Sequence, residues 1–202
     1  MAKARSADAK PPLDVETDLT LMALVERGDA DAFRTVIDRH LTRVQRLAAR
    51  MLGDVNEAEE VAQDAFLRLW MFAKSWHPGP DNSVVPWLRR VATNLCLDRL
   101  RRRRFISDVE PPDRPDPAAL APAAIDAERV HAAVKRSLLS VPDRQRAALV
   151  LTYYEELSNA EAARTMDMHV KAFESLLLRA RATLRTALTR RGLTVDDVRG
   201  LA

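Results

Sequence analysis

The side chains best equipped for chemistry in this chain are arginines, and they are concentrated. Between Val85 and Ser107 stand seven arginines and one acid, in a stretch that opens with Pro86-Trp87-Leu88-Arg89-Arg90 and closes with Arg101, Arg102, Arg103 and Arg104. Guanidinium groups stay charged at any physiological pH and bind phosphate oxygens through paired donors. Trp76 and Trp87 stand beside the run. Arginines that follow a phosphate backbone, next to rings that hold unstacked bases, are what single-stranded nucleic acid needs. The same pattern also describes a solvated helix face with both rings in the core, and both readings stay open at this point. A second basic cluster, Arg179, Arg181, Arg185, Arg190 and Arg191, lies near the C-terminal end.

Other chemistry is missing from the pattern. There is no glycine loop to cradle a phosphate, no nucleophile beside a base, and no histidine–cysteine spacing that would hold zinc. The expectation is therefore a protein that is not an enzyme, with no metal, no cofactor and no small-molecule substrate. The lone cysteine, Cys96, sits among Leu95, Leu97 and Leu100 and reads as a small buried thiol rather than a redox sensor. Nothing approaches an apolar run of about 18 residues, and the basic N-terminus has no apolar stretch behind it, so no membrane insertion and a cytoplasmic location are expected.

The elements that must carry these arginines are helices. The chain has 202 residues, 47% hydrophobic and 30% charged, with only five glycines, too few for most folds built on tight β-turns. Its net charge of +3 hides a basic, acidic, basic distribution: +3 over residues 1–107, −5 over 108–128, and +5 over 129–202. The acidic stretch holds five of the eleven prolines and almost no large apolar residue, which marks a linker. The reading is all-α: two small helical domains joined by a Pro/Asp-rich linker. Its boundaries are a flexible tail at 1–16, a first domain at 17–107, the linker at 108–126, a second domain at 127–191, and a tail at 192–202.

Periodicity places four helices in the first domain. They are Thr17–Arg27, stopped by Gly28; Asp31–Leu52, stopped by Gly53; Glu57–Lys74; and Pro86–Arg104, with Pro86 in its first turn. Asn56 and Glu59 have capping-box spacing at the start of the third. That helix puts Val61, Ala65, Leu69 and Phe72 on one side with Phe66, Leu67 and Trp70 beside them, an apolar arc wider than one packing partner needs. On the fourth, Leu88, Val91, Ala92, Leu95 and Leu100 face inward, while Arg90, Asn94, Asp98 and Arg101 share the outer face. The second domain begins with a helix at Asp126–Leu139 and another opened by Pro142, with Ala147, Leu149, Val150, Leu151 and Tyr154 as its apolar positions. Ser158–Glu161 is a strong capping box for a short third helix. After a tight turn at Asp167–His169, a helix from Val170 to Arg191 buries Val170, Phe173, Leu177, Ala180, Leu184 and Leu188. Short helix, tight turn, longer amphipathic helix is the helix-turn-helix arrangement, and a helical hairpin inside a bundle has the same periodicity.

Two stretches, DVNEAEEVAQDAFLRLW followed by PWLRRVATNLCLDRLRRRR, resemble regions 2.1 to 2.4 of the extracytoplasmic-function (group 4, sigma-70 family) RNA polymerase sigma factors. LLSVPDRQRAALVLTYYEELSNAEAARTM and ESLLLRARATLR resemble region 4 of the same family. The likeness runs from about Leu19 to Leu188, in the family's order and with the linker in place. It implies a transcription initiation and regulation factor of the stress-response kind, which binds core RNA polymerase and promoter DNA and is held in check by an anti-sigma factor. The resemblance assigns Glu60, Gln63, Asp64, Phe66 and Leu67 to binding of core polymerase. It assigns Trp87, Arg90, Asn94, Asp98 and Arg101 to the minus-ten element, with the loop 75–85 at a flipped base. Lys171, Glu174, Ser175, Leu178 and Arg179 fall to the minus-thirty-five element. The linker's negative charge would suit basic polymerase channels.

One departure is informative. Where the family commonly has Gly-Thr-Val-Lys-Ser-Arg, this chain has Lys171-Ala172-Phe173-Glu174-Ser175-Leu176. Glutamate can accept from a cytosine amino group, and leucine can meet a thymine methyl. An altered promoter sequence is the reading favoured, because Arg179, Arg181 and Arg185 remain; the alternative is a region that docks chiefly on protein. Two rivals complete the set: a sigma-like decoy that binds an anti-sigma factor without promoter recognition, and a one-component helix-turn-helix regulator.

Overall fold

The computed structural model describes residues 13, 16–77, 83–106 and 124–193, and these contain helices and no strand. In chain order they are α1 (Asp18–Glu26), α2 (Ala30–Leu52), α3 (Val55–Met71), α4 (Val85–Ile106), α5 (Ala124–Leu139), α6 (Asp143–Tyr153), α7 (Asn159–Thr165) and α8 (Val170–Thr189), with a 3-10 turn at Ala73–Ser75. The all-α class expected from composition is the one observed. Most of the linker lies outside the described residues, as do positions 78–82 of the loop before α4. Helix α5 begins at Ala124, inside the stretch assigned to the linker. Leu13 and Glu16, at the end of the expected flexible tail, are fastened: their carbonyls accept from the Arg39 guanidinium at 3.0 and 2.6 Å.

Side-chain oxygens start four of the helices, α1, α2, α3 and α7, because the first amides of a helix have no partner within it. Thr17 accepts from the Thr20 amide, and Asp29 from those of Asp31 and Ala32. Ser158 and Glu161 form the reciprocal box read in the sequence. For α3 the cap is Asp54, which accepts from the Glu57 amide at 3.1 Å. Asn56 is already inside the first turn and caps nothing, so the box expected at Asn56 and Glu59 is replaced by one aspartate two residues earlier. Gly53, which ends α2, has a φ of 76°. A Cβ there would also come within 2.7 Å of Leu139 Cδ1, so this position needs glycine for both its backbone and its space.

Helix α2 is the axis of the first group, packed against α1, α3 and α4; α8 is the axis of the second, packed against α5, α6 and α7. The α2 stripe is buried at Val36, Val44, Leu47, Ala48 and Met51, while Phe33 and Ile37 are half-buried at its edge. Five consecutive residues of α6, Ala147 to Leu151, are buried. A helix enclosed on one side would bury about half of such a run. Here α6 is also covered by α2 and α4, so the two groups pack against one another. Tyr154, expected inside, ends up 42% exposed beyond the end of α6.

Cys96 is fully buried, and burial pushes its thiol up to about 12. At pH 8 the thiolate fraction is then about one in ten thousand, and the thiolate is the reactive form. Iodoacetamide should leave Cys96 unmodified in the native chain and alkylate it quickly in 6 M guanidinium. Modification at equal rates in both conditions would contradict the burial.

Candidate nucleic-acid interface

The arginine-rich helix α4 presents the face read from its sequence. Arg90, Asn94, Asp98 and Arg101 are exposed, and Trp87 is half-buried at the start of the row. Trp76 is half-buried as well, and both rings pack against the core. The arginines are less free than their number suggests. Arg99 donates to Glu60 at 2.6 Å and to Asp64 at 3.1 Å, and Arg101 to Asp98 at 2.9 Å. Arg103 pairs with Glu57, Arg89 with Glu155 at 3.3 Å, Arg90 with Asp167 at 3.4 Å, and Arg104 with Asp143 at 2.8 Å. Six of the seven therefore hold a carboxylate. Burial lowers the proton affinity of the Arg89 guanidinium, as does the neighbouring charge of Arg43, while Glu155 opposes both. It remains charged and tied down.

Helix α3 supplies a second surface. Gln63 and Leu67 are exposed, and Leu67 continues into Trp70, Met71 and Phe72, the last two 66% and 53% exposed. Residue 67 lies four after 63, and 70 and 71 lie three and four after 67, so all four share one face of the helix. Phe66, named from the sequence beside Leu67, is 4% exposed and belongs to the core. Phe72 was expected inside and is outside, because α3 ends at Met71 and the chain turns away. Glu60 and Asp64 flank this surface and are steered by Arg99, which raises that guanidinium's affinity for its proton. Arg99 was not singled out in the sequence, although it stands four residues after inward-facing Leu95, at the edge of the buried stripe.

The helix-turn-helix is present in α7, the turn and α8. Met166 ends α7, Asp167 takes a φ of 55° in the turn, and His169 precedes the first residue of α8. Lys171, Glu174, Ser175, Leu178 and Arg179 are all exposed, while Phe173, Leu176, Leu177 and Ala180 are buried behind them. Leu176, weighed as a contact for a thymine methyl, is 7% exposed and faces inward; the leucine on the open face is Leu178, at 68%. The α8 stripe thus includes Leu176, and Val170 drops out of it at 41% exposure because the turn leaves the helix's first residue uncovered. Asn159 donates to the Glu174 carboxylate at 3.4 Å, and Ser175 Oγ donates back to the Lys171 carbonyl at 3.0 Å. Arg181 donates to the Tyr153 hydroxyl at 2.7 Å and lies over its ring. Among the described residues no cluster of histidine, cysteine and acid could hold a metal ion, and no helix is long and apolar enough to cross a membrane.

The family described as Sigma-70 region 2 matches residues 36–106, from within α2 to the end of α4, and Sigma-70 region 4 matches residues 131–184, from α5 into α8. The ECF RNA polymerase sigma factor SigW of Bacillus subtilis is 31% identical over 175 residues, 81% of this chain and 92% of that protein. The chain belongs to the ECF sigma factors. The ECF sigma factor SigM of Mycobacterium tuberculosis is 34% identical over 177 residues, 85% of each protein. Among solved structures, CnrH in complex with the cytosolic domain of CnrY is similar with a TM-score of 0.61 and 25% identity, covering 87% of this chain and 99% of that one. Sigma factors of this family are non-enzymatic initiation factors that direct RNA polymerase to promoters, and the two ECF sigma regions fall here on the two helical groups, in order.

Proposed function

We propose that this ECF sigma factor binds core RNA polymerase through the exposed α3 face and reads a bipartite promoter with α4 and α8. The domains are 17–107 and, with its first helix starting at Ala124, 124–191, joined by the tether between them. Leu67, with Trp70, Met71 and Phe72, forms the apolar centre of the polymerase-binding surface; Gln63, Glu60 and Asp64 give it a polar rim, and Phe66 supports it from beneath. An exposed apolar face of this kind on a stable helix calls for a protein partner. Trp87, Arg90, Asn94, Asp98 and Arg101 contact the minus-ten element. Lys171, Glu174, Ser175, Leu178 and Arg179 enter the major groove at the minus-thirty-five element, where the Glu174 carboxylate favours a base with an amino donor and Leu178 a thymine methyl.

The observation that carries this reading is the division of α8: the five residues assigned to base reading are all on the open face, over a core of Phe173, Leu176, Leu177 and Ala180. The protein acts in the cytoplasm, where its polymerase is. Control by an anti-sigma factor is part of the same reading; in its support, the RpoE of Bartonella quintana, similar in fold, is solved with the anti-sigma factor NepR. The test is reconstitution. Purified chain added to core polymerase should yield discrete run-off transcripts from a genomic fragment library, and transcripts lost with Lys171→Ala and Glu174→Ala together would tie them to α8. Stable polymerase binding without any specific transcript would replace this reading with the decoy.

A further inference from the structure

We infer that Asn159 of α7 is a positioning residue for promoter reading: its side-chain amide takes one oxygen of the Glu174 carboxylate and leaves the other to meet a single cytosine in the major groove. The inference rests on the assignment of α8 to the minus-thirty-five element and narrows what Glu174 reads there. Asn159 Nδ2 donates to Glu174 Oε1 at 3.4 Å. The direction is fixed by chemistry, because an ionised carboxylate only accepts, so the amide must turn its nitrogen toward it. The partners stand on different helices, Asn159 at the start of α7 and Glu174 in the second turn of α8. The contact therefore exists only once the helix-turn-helix has formed.

The frame that carries Asn159 is well tied. Glu161 accepts from the Ser158 amide at 2.9 Å and from its hydroxyl at 2.6 Å, which closes the start of α7. Ala162 and Ala163 are buried, and the Met168 amide donates to the Ala163 carbonyl at 2.9 Å across the turn. Asn159 is itself half-buried, whereas Glu174 is exposed. The amide is thus the fixed partner and the carboxylate the mobile one. Among the described residues no lysine or arginine pairs with Glu174. A guanidinium would cancel its charge and take both oxygens; a neutral amide takes one and leaves the group ionised. Without an anchor, a glutamate beside phosphates swings out to solvent and tolerates any base. Held in place, it must match the base edge it meets. Cytosine offers an amino donor with no acceptor beside it, adenine sets N7 next to its amino group, and guanine and thymine offer acceptors. A carboxylate that loses its water to the wrong edge is left unsatisfied, which costs affinity. The Asn159 bond is weak in water at 3.4 Å and strengthens as docking excludes that water. Asn159 therefore adds little to the free chain and much to the choice of base.

The experiment uses the full chain assembled with core RNA polymerase, and its probe is a pool of duplexes of random sequence from which bound molecules are selected and sequenced. Wild type should enrich one cytosine position that Glu174→Ala erases. Between two enriched duplexes that differ only there, C·G against T·A, wild type should discriminate at least about fivefold, the low end for one base pair of a specific site. Asn159→Ala should bring that ratio below about twofold and leave discrimination at the other enriched pairs unchanged, since separate positions act nearly independently. Asn159→Asp keeps the size of the side chain and suits the first turn of a helix, yet repels Glu174; it should lose the ratio as well. Its added charge weakens both duplexes alike and cancels in the comparison. In a Glu174→Ala background, Asn159→Ala should change the ratio no further, an outcome that a general loosening of α7 would not give. A wild-type ratio kept by Asn159→Ala, or an equal loss at every enriched pair, overturns the positioning role; if Glu174→Ala still erases its position, α8 stands as the reader. A pool in which no position responds to Glu174→Ala defeats that reading of α8, and the inference falls with it.

Discussion

Phe173→Ala should unfold α5–α8 while leaving α1–α4 folded. Phe173 is 0% exposed and is the largest of the fully buried side chains. Truncating a buried phenylalanine costs about 3–5 kcal/mol, the lost transfer energy plus the cavity it leaves. A domain of about sixty-five residues has roughly 3–10 kcal/mol of stability in all. Neighbouring Leu176, Leu177 and Ala180 come from the same helix and cannot close the gap without moving α8. The composition allows a clean reading: all three tryptophans, Trp70, Trp76 and Trp87, lie in the first group, and both tyrosines, Tyr153 and Tyr154, in the second. Circular dichroism at 222 nm should therefore lose the share due to α5–α8 at low guanidinium, while tryptophan fluorescence unfolds near its wild-type midpoint. Leu178→Ala, on the opposite face of the same helix, should leave both transitions within about 0.5 kcal/mol of wild type and alter only duplex binding. A dichroism transition for Phe173→Ala that coincides with wild type would refute the placement of this ring.

The contrast between Phe173 and Leu178 was legible in the sequence, since both positions follow from a period of 3.6 residues. So were the Ser158–Glu161 box, the stops at Gly28 and Gly53, and the exposed row on α4. These are local rules, in which residues three or four apart determine each other's surroundings. What the sequence did not show depends on residues far apart. Glu155 stands in a run of two acids and looks solvated, yet guanidiniums from α2 and α4 enclose it. Arg99 looks like one more member of a basic run, yet it joins α4 to α3. Leu176 falls outside the narrow stripe predicted for α8 and is buried because α8 is covered more broadly. Pairing between helices is also why the basic run misleads as a measure of DNA affinity. Arginines that hold carboxylates in the free protein release fewer counterions when DNA arrives, so the salt dependence of binding should be shallower than the arginine count implies.

Asp18→Asn should destabilise the first group strongly, and the loss should shrink as the solution is acidified. Asp18 is in the first turn of α1, and its side chain is 10% exposed. His40 Nε2 of α2 donates to both carboxylate oxygens at 3.0 Å, and Oδ2 also accepts from Ser83 Oγ at 3.0 Å and from the Val84 amide at 3.1 Å. One carboxylate thus binds α1, α2 and the segment that starts α4, the helix that carries the proposed promoter face. Burial alone would raise its pKa, but the hydrogen bonds from His40, the Val84 amide and Ser83, with the charge of His40, hold it below the ordinary 3.8. An asparagine has a single acceptor oxygen and would turn an amino group toward these donors. Removing one partner of a buried charged pair costs about 3–5 kcal/mol. Because the folded-state pKa is the lower one, this stabilisation is complete above the unfolded value and is lost as pH falls through the folded value. Urea unfolding followed by tryptophan fluorescence should show the full gap between wild type and Asp18→Asn at pH 7, closing below pH 3.8. The same gap at pH 3 as at pH 7 would mean that the charge of Asp18 does not hold these helices together.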